Sequence, residues 1–340
     1  MKGAGVPRRS TPVSADERIL ALFRARHGGV VSGEEMSADL GISRTAIWKR
    51  ITSLRQLGFV ISAIPSRGYR LESVPDLLLP AELSEGLPLR KLGTNILTFR
   101  QTTSTNDIAY RLAEEGAVEG TVVIADQQSR GKGRLGREWV SPPGVNLYCS
   151  LVLRPPILPT RATQLTFLSA VGVARAIARL TPLEPRIKWP NDVLVGGRKV
   201  AGLLNEMSAE TDAVHFVILG IGVNLNMATD QLPPGLRHPA TSLLLESEAR
   251  VDRIAFTRQL LLELDELYMT FLAGGSESIR AEWIRWSRLA GFRVRVSSAG
   301  SEVSGTVRGI DDDGALLVEV PGSRMERILA GDVTILAEGP

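Results

Sequence analysis

Apolar residues in the first part of this 340-residue chain recur at helical spacing in three short runs. Ser14-Ala15-Asp16-Glu17 has capping-box spacing, and Ile19, Leu20, Leu22 and Phe23 follow on one helical face until Gly28-Gly29 ends it. Ser32-Gly33-Glu34-Glu35 repeats the box, Met36 and Leu40 keep the spacing, and Gly41 stops a second helix. Ser43 opens a third that buries Ile47, Ile51, Leu54 and Leu57 and leaves Arg44, Thr45, Trp48, Lys49 and Arg55 on other faces. The period then drops to two. Phe59-Val60-Ile61-Ser62, a turn at Pro65-Ser66-Arg67-Gly68, and Tyr69-Arg70-Leu71 predict a two-stranded ribbon with a basic tip. Two short helices across a tight turn, followed by such a ribbon, predict a winged helix-turn-helix. Arg44, Thr45 and Lys49 would approach bases or phosphates and Arg67 the flanking backbone, while Trp48 either supports the helix or touches DNA. The competing reading is a winged helix kept for protein contacts or as a vestigial cap.

Residues 1–13 hold Gly, Pro, Ser and basic residues with almost nothing to bury, which predicts a disordered arm, and the two prolines of 73–80 mark a linker. Beyond it, strand-like and helix-like patterns mix. A run from Leu97 leads into Gln101-Thr102-Thr103-Ser104-Thr105-Asn106-Asp107, ahead of a helix expected over 108–115. Thr121-Val122-Val123-Ile124-Ala125 and the stretch 146–153 read as buried strands, 164–180 as a long helix, and 199–206 and 217–226 as glycine-bearing strands. Residues 254–271 form an amphipathic helix with Leu260, Leu264, Leu267 and Phe271 on one stripe, and short alternating runs fill the tail.

Composition narrows the class. A 44% hydrophobic content excludes general disorder, and the longest apolar runs fall far short of a bilayer span, with no signal-like h-region, so a soluble protein with no membrane partner is expected. A single cysteine, Cys149, excludes a disulfide framework and a cysteine-built zinc site and fits the cytoplasm; His27, His215 and His238 show no metal spacing, and no side chain is assigned to a metal. The net charge of +3 announces no nucleic-acid binder, but Lys and Arg cluster in the first third.

Three stretches carry candidate chemistry. Gln128-Ser129-Arg130-Gly131-Lys132-Gly133-Arg134-Leu135-Gly136-Arg137-Glu138-Trp139 combines glycines with basic residues, a composition suited to an anion, although it lacks Walker spacing and reads as a basic surface turn about as readily as an adenylate loop. The Ser104-Thr105-Asn106 run offers donors and acceptors to a small polar ligand, or is an ordinary helix cap. Lys188, wedged between Ile187 and Trp189 before Pro190, is either paired with an internal carboxylate or pointed at a substrate anion.

Taken in order, Ser104-Thr105-Asn106, Gln128 with the basic glycine loop through Trp139, Asn146-Leu147-Tyr148, Lys188-Trp189-Pro190-Asn191-Asp192, Lys199-x-Ala201-Gly202-Leu203-Leu204-x-Glu206 and Gly220-Ile221-Gly222-x-Asn224 resemble the motif set of biotin protein ligases. With the winged helix in front, the chain is similar to the bifunctional members that also repress biotin genes. The resemblance covers nearly the whole chain and implies an α+β multidomain architecture: a winged helix over 14–73, a mixed α/β ligase domain of the class II synthetase-like type over 81–287, and an SH3-like C-terminal β-barrel over 288–340. One departure is Lys132, where many relatives carry Arg.

The resemblance implies two half-reactions, formation of biotinyl-adenylate from biotin and Mg-ATP, then transfer to a lysine of a biotin carboxyl carrier protein. It implies operator DNA as a further partner and a homodimer when adenylate is bound. Lys188, Arg134 and Asp192 would be catalytic: Lys188 bridging carboxylate and α-phosphate, Asp192 orienting or activating the incoming amine or binding the biotin tail. Ser104, Thr105, Asn106, Gln128, Gly131, Lys132, Arg134, Lys188, Gly202 and Gly220 would meet biotin, the glycines letting backbone and the bicyclic ring come close. Lys132, Arg134, Trp139, Asn146, Asn191, Lys199 and Asn224 would meet ATP or the adenylate. The rivals are a biotin-sensing repressor without catalysis and a lipoate or octanoate transferase on a related fold; the polar Ser104, Thr105 and Gln128 set suits a ureido ring better than a plain acyl chain.

Overall fold

The computed structural model describes residues 15–56, 58–233, 235, 239–298 and 301–337. The arm expected over 1–13, the cap residue Ser14 and the expected core residue Leu57 lie outside these. The chain divides into two compact units between Leu77 and Leu78.

The first unit contains α1 (Ala15–Ala25), α2 (Gly33–Leu40), α3 (Arg44–Gln56) and the hairpin of β1 (Val60–Ile64) and β2 (Gly68–Ser73). The Ser32 hydroxyl accepts from the Glu35 amide at 3.0 Å, and Gly41 ends α2 in the left-handed region at φ 68°. Ile47, Ile51 and Leu54 face inward with Ile19, Leu20 and Phe23. Arg44, Thr45 and Lys49 are exposed on α3, as is Arg67 at the hairpin turn. Trp48 is 55% exposed and shares that outward face, so it does not support the helix interior.

The second unit is built on a seven-stranded mixed sheet. Along the chain it runs α4 (Pro80–Ser84), β3 (Asn95–Thr102), α5 (Thr105–Glu114), β4 (Thr121–Gln128), β5 (Leu147–Leu153), α6 (Thr163–Leu180), β6 (Pro185–Lys188), β7 (Asp192–Val195), β8 (Arg198–Ala209) and β9 (Val214–Val223). The helices α7 (Leu243–Ser247), α8 (Arg253–Leu272) and α9 (Ser276–Ser287) follow. The strand order is β3-β4-β5-β9-β8-β7-β6; β3 and β4 are parallel across the α5 crossover and the rest antiparallel. Strand β5 is buried along its whole length, as a run without alternation requires. Helices α6 and α8 pack closely because Gly172 admits Leu264, whose Cδ2 would lie 2.8 Å from any added Cβ. Two differences from the sequence reading stand out. Helix α5 starts at Thr105, three residues earlier than expected, and α9, unread in the sequence, buries Trp283 against Phe167.

The tail forms an antiparallel SH3-like meander of β10 (Arg293–Ser298), β11 (Ser301–Ile310), β12 (Leu316–Val320), β13 (Arg324–Ile328) and β14 (Asp332–Ala337), in the order β13-β12-β11-β10-β14. Its Val294, Val296, Leu316 and Val333 join the same apolar core as the large sheet, and the Trp189 indole donates to the Gly314 carbonyl at 3.1 Å. That contact links the β6–β7 turn, which follows Lys188 at the end of β6, directly to the meander.

Candidate active site

A cleft of about 270 Å³ opens where β3 and β4 end. Its floor is a chain of polar side chains, of which Ser104, Thr105, Asn106, Ser141 and Ser150 are almost entirely buried. Ser104 is the N-cap of α5, placing Thr105 and Asn106 in the first turn. The Gln128 side-chain oxygen accepts from the Thr105 amide at 2.8 Å, and its nitrogen donates to Ser141 Oγ at 2.9 Å. Ser141 in turn donates to the Trp139 carbonyl at 2.9 Å. On the other side, Ser150 Oγ lies 2.8 Å from Thr105 Oγ1 and 2.6 Å from Asn106 Oδ1, while Asn106 Nδ2 donates to Glu206 Oε2 at 2.7 Å. Buried polar groups are costly unless paired, and here Thr105, Asn106, Gln128, Ser141 and Ser150 are paired with one another.

The basic glycine loop is a tight hairpin. The Trp139 amide donates to the Gly131 carbonyl at 2.8 Å, Lys132 bridges Glu138, and the Gly133 amide donates to the Arg137 carbonyl at 2.7 Å. Gly131 is required because any Cβ there would lie 2.3 Å from the Trp139 carbonyl oxygen. Leu135 turns the tip at φ 56° and is 77% exposed.

Each cation of the hairpin is met by a different element. Lys132 pairs with Asp107 on α5 and, at 3.4 Å, with Glu206 on β8; its pKa is raised, above all by the Asp107 hydrogen bond. Arg134 donates to Asn191 Oδ1 at 3.2 Å, and burial pulls its pKa down. Arg137 is ion-paired with Asp332 of β14, whose hydrogen bond raises the guanidinium pKa. The Trp139 ring lies against Gly202 and Gly222, with Lys199 Nζ at 5.3 Å from its centroid. Lys199 itself is held by Asp192 at 2.6 Å.

Of the residues named from the sequence, Ser104, Thr105, Asn106, Gln128, Lys132, Arg134, Trp139, Lys188, Asn191, Asp192, Lys199, Gly202, Gly220 and Asn224 line this cleft. Gly131 and Asn146, named with these from the sequence, are not among the lining residues, and the room beside two of the lining glycines is filled. Asn146 is not on the wall: it is fully buried, its oxygen accepting from the Leu225 amide at 2.9 Å and its nitrogen donating to Asn224 Oδ1 at 3.4 Å, so it shapes the turn that carries Asn224. Gly202 and Gly220 do not leave open room for a ring. The volume a side chain would take is filled by Trp139 at Gly202 and by Asn106 at Gly220, where an added Cβ would meet Oδ1 at 2.2 Å. Gly222, Ser150, Asp107, Arg137, Glu206 and Asp332 belong to the arrangement without having been assigned a role. A buried serine interrupting an apolar strand was the readable signal for Ser150.

Cys149 also lines the cleft, but burial pushes its thiol up to about 12, which rules out a thiolate nucleophile near neutrality. Among the described residues no three His, Cys, Asp or Glu side chains are grouped to hold a metal. Asp107, Asp192, Glu206 and Asp332 each face a cation of the cleft.

Residues 98–224 match the biotin/lipoate A/B protein ligase family, 16–70 a helix-turn-helix domain and 291–336 the biotin protein ligase C-terminal domain. The bifunctional ligase/repressor BirA of Bacillus spizizenii is 36% identical over 317 residues, covering 93% of this chain and 97% of that protein. This chain belongs to the biotin protein ligases. BirA of Escherichia coli is 31% identical, covering 90% of this chain and 92% of its own, and the biotin–[acetyl-CoA-carboxylase] ligase of Mycobacterium tuberculosis is 36% identical over 69% of this chain and 87% of its own. The biotin protein ligase of Aquifex aeolicus, solved with biotin and ATP, superposes with a TM-score of 0.62 at 27% identity, covering 72% of this ligase and all (100%) of that chain. Among the described residues no helix is long and apolar enough to cross a membrane.

Proposed function

We propose that this ligase activates biotin with ATP and transfers it to one lysine of a biotin carboxyl carrier protein in the cytoplasm, and that its adenylate-bound form represses biotin genes as a homodimer. The working divisions are 14–73 for DNA, 81–287 for catalysis and 288–340 for the SH3-like unit. The observation that carries the reading is one cleft that brings together a polar floor at Ser104, Thr105 and Gln128 and the cations Lys132, Arg134, Lys188 and Lys199.

Bringing a carboxylate against a polyphosphate opposes two anions, so fixed positive charge is the main requirement. Magnesium bound with ATP would supply further positive charge to the phosphates, beside that of Lys132, Arg134 and Lys188. A biotin carboxylate oxygen attacks the α-phosphorus, the bond to the β-phosphate oxygen breaks, and pyrophosphate leaves. Lys188 lies between the two anions, and Arg134 steadies the phosphate. In the second step a neutral lysine amine attacks the acyl carbon, the acyl–phosphate bond breaks, AMP departs and the amine proton passes to solvent. Asp192, already paired with Lys199 at 2.6 Å, orients that amine by accepting a hydrogen bond from it. The hairpin and Trp139 shield the adenylate from water.

Incubation with biotin, ATP, magnesium and a carrier domain should add one biotin to the carrier by mass. Lys188→Ala should lower the rate by at least about a hundredfold, as loss of a charge aimed at the transition state does, with the melting profile unchanged. A fully active variant refutes the assignment, and biotin binding with no transfer by the natural chain leaves only a sensor. Sedimentation velocity with and without biotin and ATP tests the dimer; an unchanged mass with adenylate bound refutes it.

A further inference from the structure

We propose that Asn191 is a positioning residue for Arg134, a neutral amide that aims the guanidinium at the phosphate of ATP without cancelling its charge. The inference rests on the ligase reading above. Asn191 lies in the turn between β6 and β7, and both its backbone and its side chain are anchored on one residue of β8. The Leu203 amide donates to the Asn191 carbonyl at 2.9 Å, and Asn191 Nδ2 donates to the Leu203 carbonyl at 2.7 Å. Leu203 is buried in the sheet and paired with Ile221 of β9, so the anchor is rigid. A carbonyl only accepts, which fixes the NH₂ of Asn191 at Leu203 and turns Oδ1 the other way. There Oδ1 accepts from Arg134 Nη1 at 3.2 Å. A reversed amide would set oxygen against oxygen at Leu203 and donor against donor at Arg134, so one orientation alone satisfies both ends.

Charge explains why an amide stands at this position. Lys132 is met by the carboxylates of Asp107 and Glu206, Arg137 by Asp332 and Lys199 by Asp192. Arg134 forms no ion pair with any described residue. The carboxylates that act on it from a distance, Asp332 and Asp192, are already committed to Arg137 and Lys199. A phosphate approaching a guanidinium paired with a carboxylate has to displace that carboxylate first. A guanidinium steadied by one neutral acceptor keeps its charge and its remaining N–H donors for the ligand.

Pyrophosphate release in a single turnover with biotin, ATP and magnesium tests this. Asn191→Ala should slow release by about tenfold to a hundredfold, the loss expected when a positioned group drifts by about 1 Å. Asn191→Asp, of nearly the same shape, should be slower still, because its carboxylate pairs with Arg134 and takes the charge away from the phosphate. The deciding measurement repeats Asn191→Ala in an Arg134→Ala background, where it should slow release by less than about twofold further. A merely structural role for Asn191 would carry over undiminished into that background. Asn191→Ser, too short to span Leu203 and Arg134, should repeat the result of Asn191→Ala. Asn191→Asp as fast as the natural chain overturns the proposal, as do losses that multiply between Asn191→Ala and Arg134→Ala. A natural chain that releases no pyrophosphate overturns the ligase reading, and this inference with it.

Discussion

Gly220→Ala puts the central geometric claim at risk. A Cβ on Gly220 would sit 2.2 Å from Asn106 Oδ1 and 2.9 Å from Asn106 Cγ, whereas carbon and its neighbours rest at roughly 3.5 Å. Asn106 is 4% exposed in the first turn of α5 and has to retreat by about 1 Å. Retreat breaks its 2.6 Å bond from Ser150 and its 2.7 Å bond to Glu206. Overpacking of this kind costs about 1–3 kcal/mol and each of the two lost hydrogen bonds about 1 kcal/mol, so the substitution should destabilise the ligase unit by about 3–5 kcal/mol. At about 2–4 °C per kcal/mol for a unit of this size, its calorimetric transition should fall by roughly 6–20 °C, and biotin binding should be lost. Asn106→Ala clears the obstruction. In that background Gly220→Ala should cost less than about 1 kcal/mol, a coupling of at least about 2 kcal/mol between the sites. Equal costs in both backgrounds would refute the claim that Asn106 occupies the space beside Gly220.

Three further outcomes follow from charges outside the floor. Asp332→Asn removes the anion that holds Arg137; the hairpin should become more sensitive to limited proteolysis at Leu135, with the melting temperature within about 2 °C because exposed pairs contribute little. Glu282, held by Arg175 at 2.8 Å, has a pKa below its ordinary 4.5, chiefly through that hydrogen bond. A lowered carboxylate contributes stability that is fully present above pH 4.5 and lost as pH falls through the folded value, so Glu282→Gln should flatten the acid limb of the stability curve while leaving a uniformly less stable protein at pH 7. Lys49→Ala, on the exposed face of α3, should weaken operator binding evenly across sequences and reduce the salt slope by about 1; an unchanged slope removes Lys49 from the phosphate contacts.

What could be read from the sequence was chemistry more than partnership. The capped helices before the wing were legible because Ser32 and Gly41 act through residues three or four positions away. The cleft residues were legible because a basic run rich in glycine and a lysine between apolar neighbours have few structural uses. The start of α5 was misplaced because Ser, Thr and Asn in succession look alike as caps; Ser104 holds the N-cap position without a side-chain capping bond, while Thr105 is claimed by Gln128 from 23 positions away. Glycines announced close approach at 202 and 220 but not what approaches, since Trp139 arrives from the basic hairpin and Asn106 from α5. The pairing of Arg137 with Asp332 spans 195 positions, and no local pattern encodes it. Helix α9 went unread because its buried face is set by tertiary contacts of Ile279 and Trp283 rather than by a long apolar stripe.

The ion pair between the hairpin and β14 also bears on how the enzyme is made. The ligand floor is complete once β9 has left the ribosome, but the residue that holds Arg137 belongs to the last strand. At about 5–20 residues per second, roughly ten seconds or more separate the synthesis of Ser104 from that of Asp332. For that interval a nascent chain carries a polar floor and a basic hairpin that nothing from β14 yet restrains. Any chain cut short before Asp332 remains in that state, with its cations available to other anions of the cell.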